Sequence, residues 1–417
     1  MRRVVVTGIG ISSPIGTGRD EFWSSLTAGM SGIGPLTLFD ASALPVHIGG
    51  EVSGLDVDKV RQQIPEVAMV RDRKVLLGFA AAEEAMNDAG LSSGKLDGII
   101  EVGVGLEVLF LKNVVDAWHA GGRKKQLVGK VVSDLEEYLQ TPLNLLAVLL
   151  AKRYGFMGPI YTNCSACAAG AQAIGHAFQL IREGVCTIAL AGGADSMLNP
   201  LGVGGFSLLG ALSTENDCPA RACRPFDATR QGTVLGEGAA FVVLEELSTA
   251  RGRGVSVHTE VLGYGSSLDA HSVSDPPPDG KGAVLAMKKA LDDAGIEPED
   301  VDHINSHGTG TPKNDIAETL AIKTVFGNRS YEIPITAVKS MTGHMIGASG
   351  AVEFVASVLT LLTAVIPPTI NLTTPDPGCD LDYVPEGARK FRGSTVLSSS
   401  FGFGGQNAAI VLRRLHN

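Results

Sequence analysis

Two cysteines with C-x-x-C spacing, Cys164 and Cys167, stand in the stretch TNCSACAAGAQAIGHA. Three chemistries use such residues. A redox pair would cycle between dithiol and disulfide. A zinc site would need two more ligands, and Cys218 with Cys223 offers a weak second pair without the compact context of a zinc knuckle. A lone nucleophile would be Cys167 at the first turn of a helix, where N–H groups and the helix dipole favour a thiolate and lower the thiol pKa. Ala168, Ala169 and Gly170 after it are small enough to let an acyl chain approach. On this segment alone a buried structural cysteine stays open as well.

Two further stretches carry histidines on glycine-rich loops. NSHGTGTPKND holds His307, followed by Asp315, and VKSMTGHMIGASGA holds Lys339 and His344. Two neutral imidazoles can donate hydrogen bonds to one carbonyl oxygen, which suits enolate stabilisation in carbon–carbon bond formation. Near the C-terminus, SSSFGFGGQNAAIV places Phe401 and Phe403 beside a glycine run. The N–H groups of such a turn can form an oxyanion hole, and its aromatics can close a pocket. GIGISSPIG, from Gly8 to Gly16, lacks the third glycine of a dinucleotide loop because Ser13 stands there, and it reads as a structural turn.

The elements that must position these residues alternate between strand and helix, so the chain is α/β. RRVVVTGIG, CTIALAGGAD and AAFVVLEEL read as buried strands. DRKVLLGFAAAEEAMNDAGL reads as a helix closed by Gly90, and GAVLAMKKALDDAG as one ending at Gly295. The Cys167 segment and the His344 segment share a plan: strand, polar loop, Gly/Ala-rich helix. That repeat predicts two related halves whose small-residue helices meet at the centre. A boundary falls near STARGRGVS, residues 248–256, and DAHSVSDPPPDGKG reads as a site-lining loop.

The totals exclude some partners. The 417 residues are 44% hydrophobic and 19% charged, with a net charge of −10, which argues against nucleic acid or an anionic membrane. The clusters Arg71, Arg73, Lys74 and Arg123, Lys124, Lys125 could still meet an acidic partner. MRRVVVTGIG enters a strand with no signal-type apolar region, and the mostly apolar run Phe354 to Pro368 is shorter than the roughly 18 residues of a membrane helix. No disulfide framework is expected of the six cysteines, and a reducing cytoplasm is the expected location.

With these motifs in this order, the chain resembles a β-ketoacyl-[acyl-carrier-protein] synthase of the elongating, two-histidine type. The resemblance runs from VVVTGIGISSPIG to SFGFGGQNAAIVL and rests also on RPFDATRQGTVLGEGAA. It implies a duplicated thiolase-like fold in five layers, α-β-α-β-α, with halves at 1–252 and 253–417. It implies a homodimer, or a heterodimer with a paralogue, served by an acyl carrier protein. No tightly bound cofactor or metal is implied; the carrier's phosphopantetheine arm brings the substrate. By resemblance Cys167 is the nucleophile, while His307, His344 and Lys339 complete the catalytic group. The N–H groups of Cys167 and Phe403 would form the oxyanion hole. Thr309, Thr311, Phe206, Ser274, Phe401 and Phe403 would bind substrate and pantetheine, and Asp315, Glu318 and Glu353 are supporting acids.

Departures from the family pattern lie in Asn163, Cys164 and Ser165, and in Gly210, where relatives often carry an arginine near the carrier entrance. The regions GVGLEVLFLKNVVDAWHAGG and SDLEEYLQTPLNLLAVLLAKRYGF match the family least, which leans toward polyketide or polyene synthesis over housekeeping elongation. A chain-length-determining partner subunit is the alternative, although such relatives usually lack the cysteine. A degradative thiolase would want a second catalytic cysteine in the C-terminal half, where only Cys379 stands.

Overall fold

The structure, a computed structural model, describes residues 1–92, 94–106, 108–109, 113, 115–116, 139–140 and 143–415. The basic cluster Arg123, Lys124 and Lys125 lies outside the described residues, as do residues 117–122 and 133–138 of the two regions of least family likeness.

Ten strands carry the fold. Five come from the first half: β1 Val4–Ser13, β2 Ile99–Val104, β3 Ile160–Asn163, β4 Ile188–Ser196 and β5 Glu237–Glu246. Five come from the second: β6 Thr259–Leu268, β7 His303–Asn305, β8 Ile335–Thr336, β9 Thr395–Phe401 and β10 Gln406–Arg413. Their order is β8-β7-β9-β10-β6-β1-β5-β4-β2-β3. Numbered within its own half, each set runs 3-2-4-5-1, with the same parallel and antiparallel neighbours. The duplication expected from the sequence is therefore written in the topology. The two halves are hydrogen-bonded through Val4–Val6 of β1 and Thr259–Val261 of β6, so the two sheet layers join.

Six helices matter for the site: α1 Arg73–Asp88, α2 Ala169–Glu183, α3 Pro200–Leu208, α4 Lys281–Ala294, α5 Pro312–Phe326 and α6 Ser349–Thr363. Helix α1 covers the outer face of the first half, and α4 with α5 the second. Helices α2 and α6 pack on each other between strands of both halves, which completes the five layers. Small residues set that contact: a Cβ on Gly350 would lie 2.8 Å from the Cβ of Ala171.

GIGISSPIG holds the expected turn at Pro14–Ile15, between the paired Ser13 and Gly16, but its first two glycines have a different job. Gly8 and Gly10 lie inside β1, and a Cβ there would come within 2.1 Å of the Ala85 carbonyl and 2.0 Å of the Ala81 carbonyl on α1. Gly263 and Gly265 of β6 repeat the contact against Ala290 and Ala286 of α4. The strand reads as glycine-rich because a helix backbone presses on it.

One helical stretch, Ile346–Thr363, is long and apolar enough to cross a membrane, longer than the run read from the sequence, and 89% of it is buried inside the fold. It is the core helix α6 with the turn before it.

Candidate active site

Each half ends a loop in a tight turn that feeds a central helix. Ala166–Ala168 is a 3-10 turn running into α2, and Ile346–Ala348 is its counterpart running into α6. Ala166 has φ 47° and Ile346 φ 39°, a left-handed conformation that a residue with a Cβ adopts at a cost of about 1–3 kcal/mol. The strained turn at Ala166 delivers Cys167 to the floor of a cavity. The matching turn is held by Asp195, whose carboxylate accepts the Gly347 N–H at 2.9 Å.

The structure brings the four expected catalytic side chains together, with Cys167, His307 and His344 at the centre. His344 Nε2 lies 3.0 Å from Cys167 Sγ. The rings of His307 and His344 are 5.4 Å apart and nearly perpendicular. All three residues are buried, and their nitrogen and sulfur atoms fall within 4.8 Å of one another. Such a donor set could ligate a metal ion in principle, but the ring protons point to a different use. Lys339 Nζ lies 3.2 Å from His307 Nδ1 and donates to the His307 carbonyl at 2.6 Å. An ammonium has only protons to offer, so Nδ1 accepts and Nε2 carries the hydrogen. Ser349 Oγ accepts the Met345 N–H at 2.9 Å and sits 2.8 Å from His344 Nδ1. The hydroxyl proton is then free for Nδ1, and with it placed there Nε2–H faces the sulfur.

Electrostatics keep both rings neutral. Burial first, then the Lys339 charge, hold His307 and His344 well below the usual histidine range. The thiol does not behave as its helix position suggests. Burial pushes Cys167 up to about 11, against the opposing pull of the Phe403 N–H and Lys339. Desolvation of the anion outweighs the helix-start donors, so the expected lowering of this thiol is overturned.

The acids act behind the site. Glu353 is ion-paired with Lys339, and burial pushes its carboxyl up to about 7. Glu318 accepts the N–H groups of His307 and Gly308 at 2.7 and 2.8 Å and is likewise pushed by burial up to about 7. Asp315 accepts the Phe226 and Gly310 N–H groups and pairs with Arg230 at 3.3 Å. Thus Glu318 and Asp315 shape the loop that carries His307, and Glu353 places Lys339.

A cavity of about 300 Å³ opens above Cys167. Phe206, Ser274, Thr309, Thr311, Phe401 and Phe403 all line it. The Thr309 and Thr311 hydroxyls are 2.9 Å apart, and the Phe403 ring stacks on Phe206 with centroids 6.0 Å apart. The Phe403 N–H favours the thiolate form of Cys167, and Phe403, Gly404 and Gly405 share the cavity wall with that sulfur.

Cys164 takes no part in this group. It is exposed, with its sulfur 3.6 Å from the Gly105 carbonyl, whereas Cys167 is buried at His344. Cys218 is exposed and Cys223 is buried 4.0 Å from the Thr309 carbonyl, and among the described residues neither joins a metal-type cluster. The expected basic face at Arg71, Arg73 and Lys74 loses two of its three members, while Arg71 stays exposed beside Asn113. Lys74 is buried against Asp72, and Arg73 is bound to the buried Glu237 at 2.7 Å. Sequence reasoning missed Ser349, whose only signal was a hydroxyl residue five positions after His344 at a helix start.

The sequence matches the family description "Beta-ketoacyl synthase, N-terminal domain" over residues 1–250 and "Beta-ketoacyl synthase, C-terminal domain" over 258–373. The chain belongs to the beta-ketoacyl synthase family. This ketosynthase is 41% identical to 3-oxoacyl-[acyl-carrier-protein] synthase 2 of Coxiella burnetii over 99% of each chain. It is similar to the ishigamide ketosynthase/chain length factor, with TM-score 0.88 and 35% identity over 100% of both chains. It is also similar to a type II polyketide ketosynthase solved with its acyl carrier protein and bound to the hexaketide, with TM-score 0.86 and 34% identity over 99% of this chain and 100% of that one. Its fold is the duplicated thiolase-like fold, and it is an acyl-transferring condensing enzyme.

Proposed function

We propose that this ketosynthase carries out decarboxylative Claisen condensation of malonyl-[acyl carrier protein] with an acyl group held on Cys167, in fatty-acid or type II polyketide synthesis. The observation that carries the reading is the convergence of one buried thiol and two neutral imidazoles on a cavity whose wall holds the Phe403 turn.

The Cys167 sulfur, losing its proton as it bonds, attacks the thioester carbonyl brought by the carrier's phosphopantetheine arm, and that proton goes to the departing arm sulfur. The oxyanion is held by the N–H groups of Cys167 and Phe403, and the arm leaves as a thiol. Malonyl carrier protein follows, its thioester carbonyl held by the two Nε2–H donors of His307 and His344. The bond to the malonyl carboxylate breaks, carbon dioxide leaves, and the electron pair resides on the enolate. The enolate carbon attacks the acyl-Cys167 carbonyl, and the thiolate is released. Lys339 keeps Nε2–H on His307 throughout, and Ser349 does so for His344. Thr309 and Thr311 bind the pantetheine amides.

The halves 1–252 and 253–417, a cytoplasmic site of action, and a homodimer or a heterodimer with a paralogue belong to the same reading. Assembly with a chain-length partner is supported by the likeness to the ishigamide pair. A non-condensing role for this chain is disfavoured by the intact Cys167, His307 and His344. The test is release of labelled carbon dioxide from malonyl carrier protein, alone and with each candidate paralogue. Release that depends on His307 and His344 supports the reading, and release unaffected by their loss contradicts it.

A further inference from the structure

Lys313 stands at the start of α5, two residues beyond the Thr311 hydroxyl, and lines the cavity. Among the described lining residues it is the only lysine or arginine, while Asp269, Asp275 and Glu318 share the wall. Gly210, also in the lining, offers no side chain. Lys313 Nζ is tied to Asp275 at 2.7 Å, and the two side chains are 68% and 45% exposed. An ion pair that open to water contributes little and exchanges readily for a better anion.

The neighbours of this pair say which anion would take it. The lining grades from the buried Cys167 and Thr309, through the half-buried Thr311, to the exposed Lys313 and Asp275. An arm that places its sulfur end at Cys167 and its amides at the threonines carries its phosphate at the outer end. A wall bearing Asp269 and Asp275 repels a phosphate unless a cation answers it. We propose that Lys313 is the phosphate-binding residue for the phosphopantetheine arm, and that Asp275 is a placeholder anion which the phosphate displaces. The assignment rests on the condensing-enzyme reading above.

Asp275 lies in the loop that accepts the Gly404 N–H on the Val273 carbonyl at 2.8 Å.

The test compares acylation of Cys167 in the full-length protein by hexanoyl-4′-phosphopantetheine and by hexanoyl-pantetheine, read by intact mass. The ratio of the two rates falls about fivefold in Lys313→Gln, the size expected of one exposed charge pair, and rises in Asp275→Asn. Added salt lowers the ratio in the native protein and barely moves it in Lys313→Gln. A ratio unchanged by Lys313→Gln overturns the phosphate assignment alone. Failure of both donors to acylate Cys167 in the native protein overturns the condensing-enzyme reading and the assignment with it.

Discussion

His344 Nε2 sits 3.0 Å from Cys167 Sγ across 177 residues of sequence, each residue delivered by the loop that precedes a central helix of its half. One duplicated unit thus supplies the nucleophile from its first copy and the ring donor from its second. With Ser349 giving its proton to Nδ1, the ring presents Nε2–H to whatever negative charge forms at the site.

His307→Ala should acylate normally and fail at decarboxylation. Removing one preorganised donor from a developing oxyanion costs about 10²–10³ in rate. Burst acylation with acyl carrier protein, followed by carbon dioxide release from malonyl carrier protein, separates the two steps. Unimpaired release in the variant contradicts the role given to His307.

Ser349→Ala should lower the condensation rate by about tenfold, the loss of one hydrogen bond that fixes the ring proton. Ser349→Thr keeps the hydroxyl and should recover most of that loss. Equal activity of the alanine variant and the native enzyme contradicts the positioning role.

Much of this was legible beforehand. Cys167, His307, His344 and Phe403 stand on short glycine-bearing loops beside strands, and their residue types share one chemistry. The strands and helices were legible because each carries a buried apolar face. The positive φ at Ala166 and Ile346 was hidden, because nothing in an alanine or isoleucine announces a left-handed turn. Gly8 and Gly10 were misread as a turn because the helix that presses on them begins more than sixty residues later. Arg73 and Lys74 looked like a free basic face because their partners, Glu237 and Asp72, are assigned only by folding. The thiol's position at a helix start was legible, but its full burial, which reverses the shift, was not.

That burial gives a pH prediction. With the Cys167 thiol held at about 11, the thiolate fraction at lower pH grows about tenfold with each unit rise in pH. Alkylation of Cys167 by iodoacetamide, followed by peptide mass, should climb with unit slope from about pH 7 to 9 with no plateau. A plateau near neutrality contradicts the dominance of burial over the helix-start donors.

The repeated strand–helix contact predicts a stability effect far from the site. A Cβ at Gly265 would lie 2.2 Å from the Ala286 carbonyl oxygen and 2.5 Å from the Ala290 nitrogen. Gly265→Val should destabilise the fold by about 3 kcal/mol or more, since the obstruction is backbone and cannot rotate away. Urea denaturation checks this, and an unchanged midpoint contradicts the close approach of α4 to β6.

The most direct measurement is peptide mass mapping of the enzyme after exposure to acyl carrier protein and then to malonyl carrier protein. The acyl mass should appear on the thiol of Cys167, persist in Cys164→Ser, vanish in Cys167→Ala, and be discharged as the β-ketoacyl product when malonyl carrier protein is added. An adduct carried by Cys164, or an adduct on Cys167 that malonyl carrier protein cannot discharge, contradicts the account.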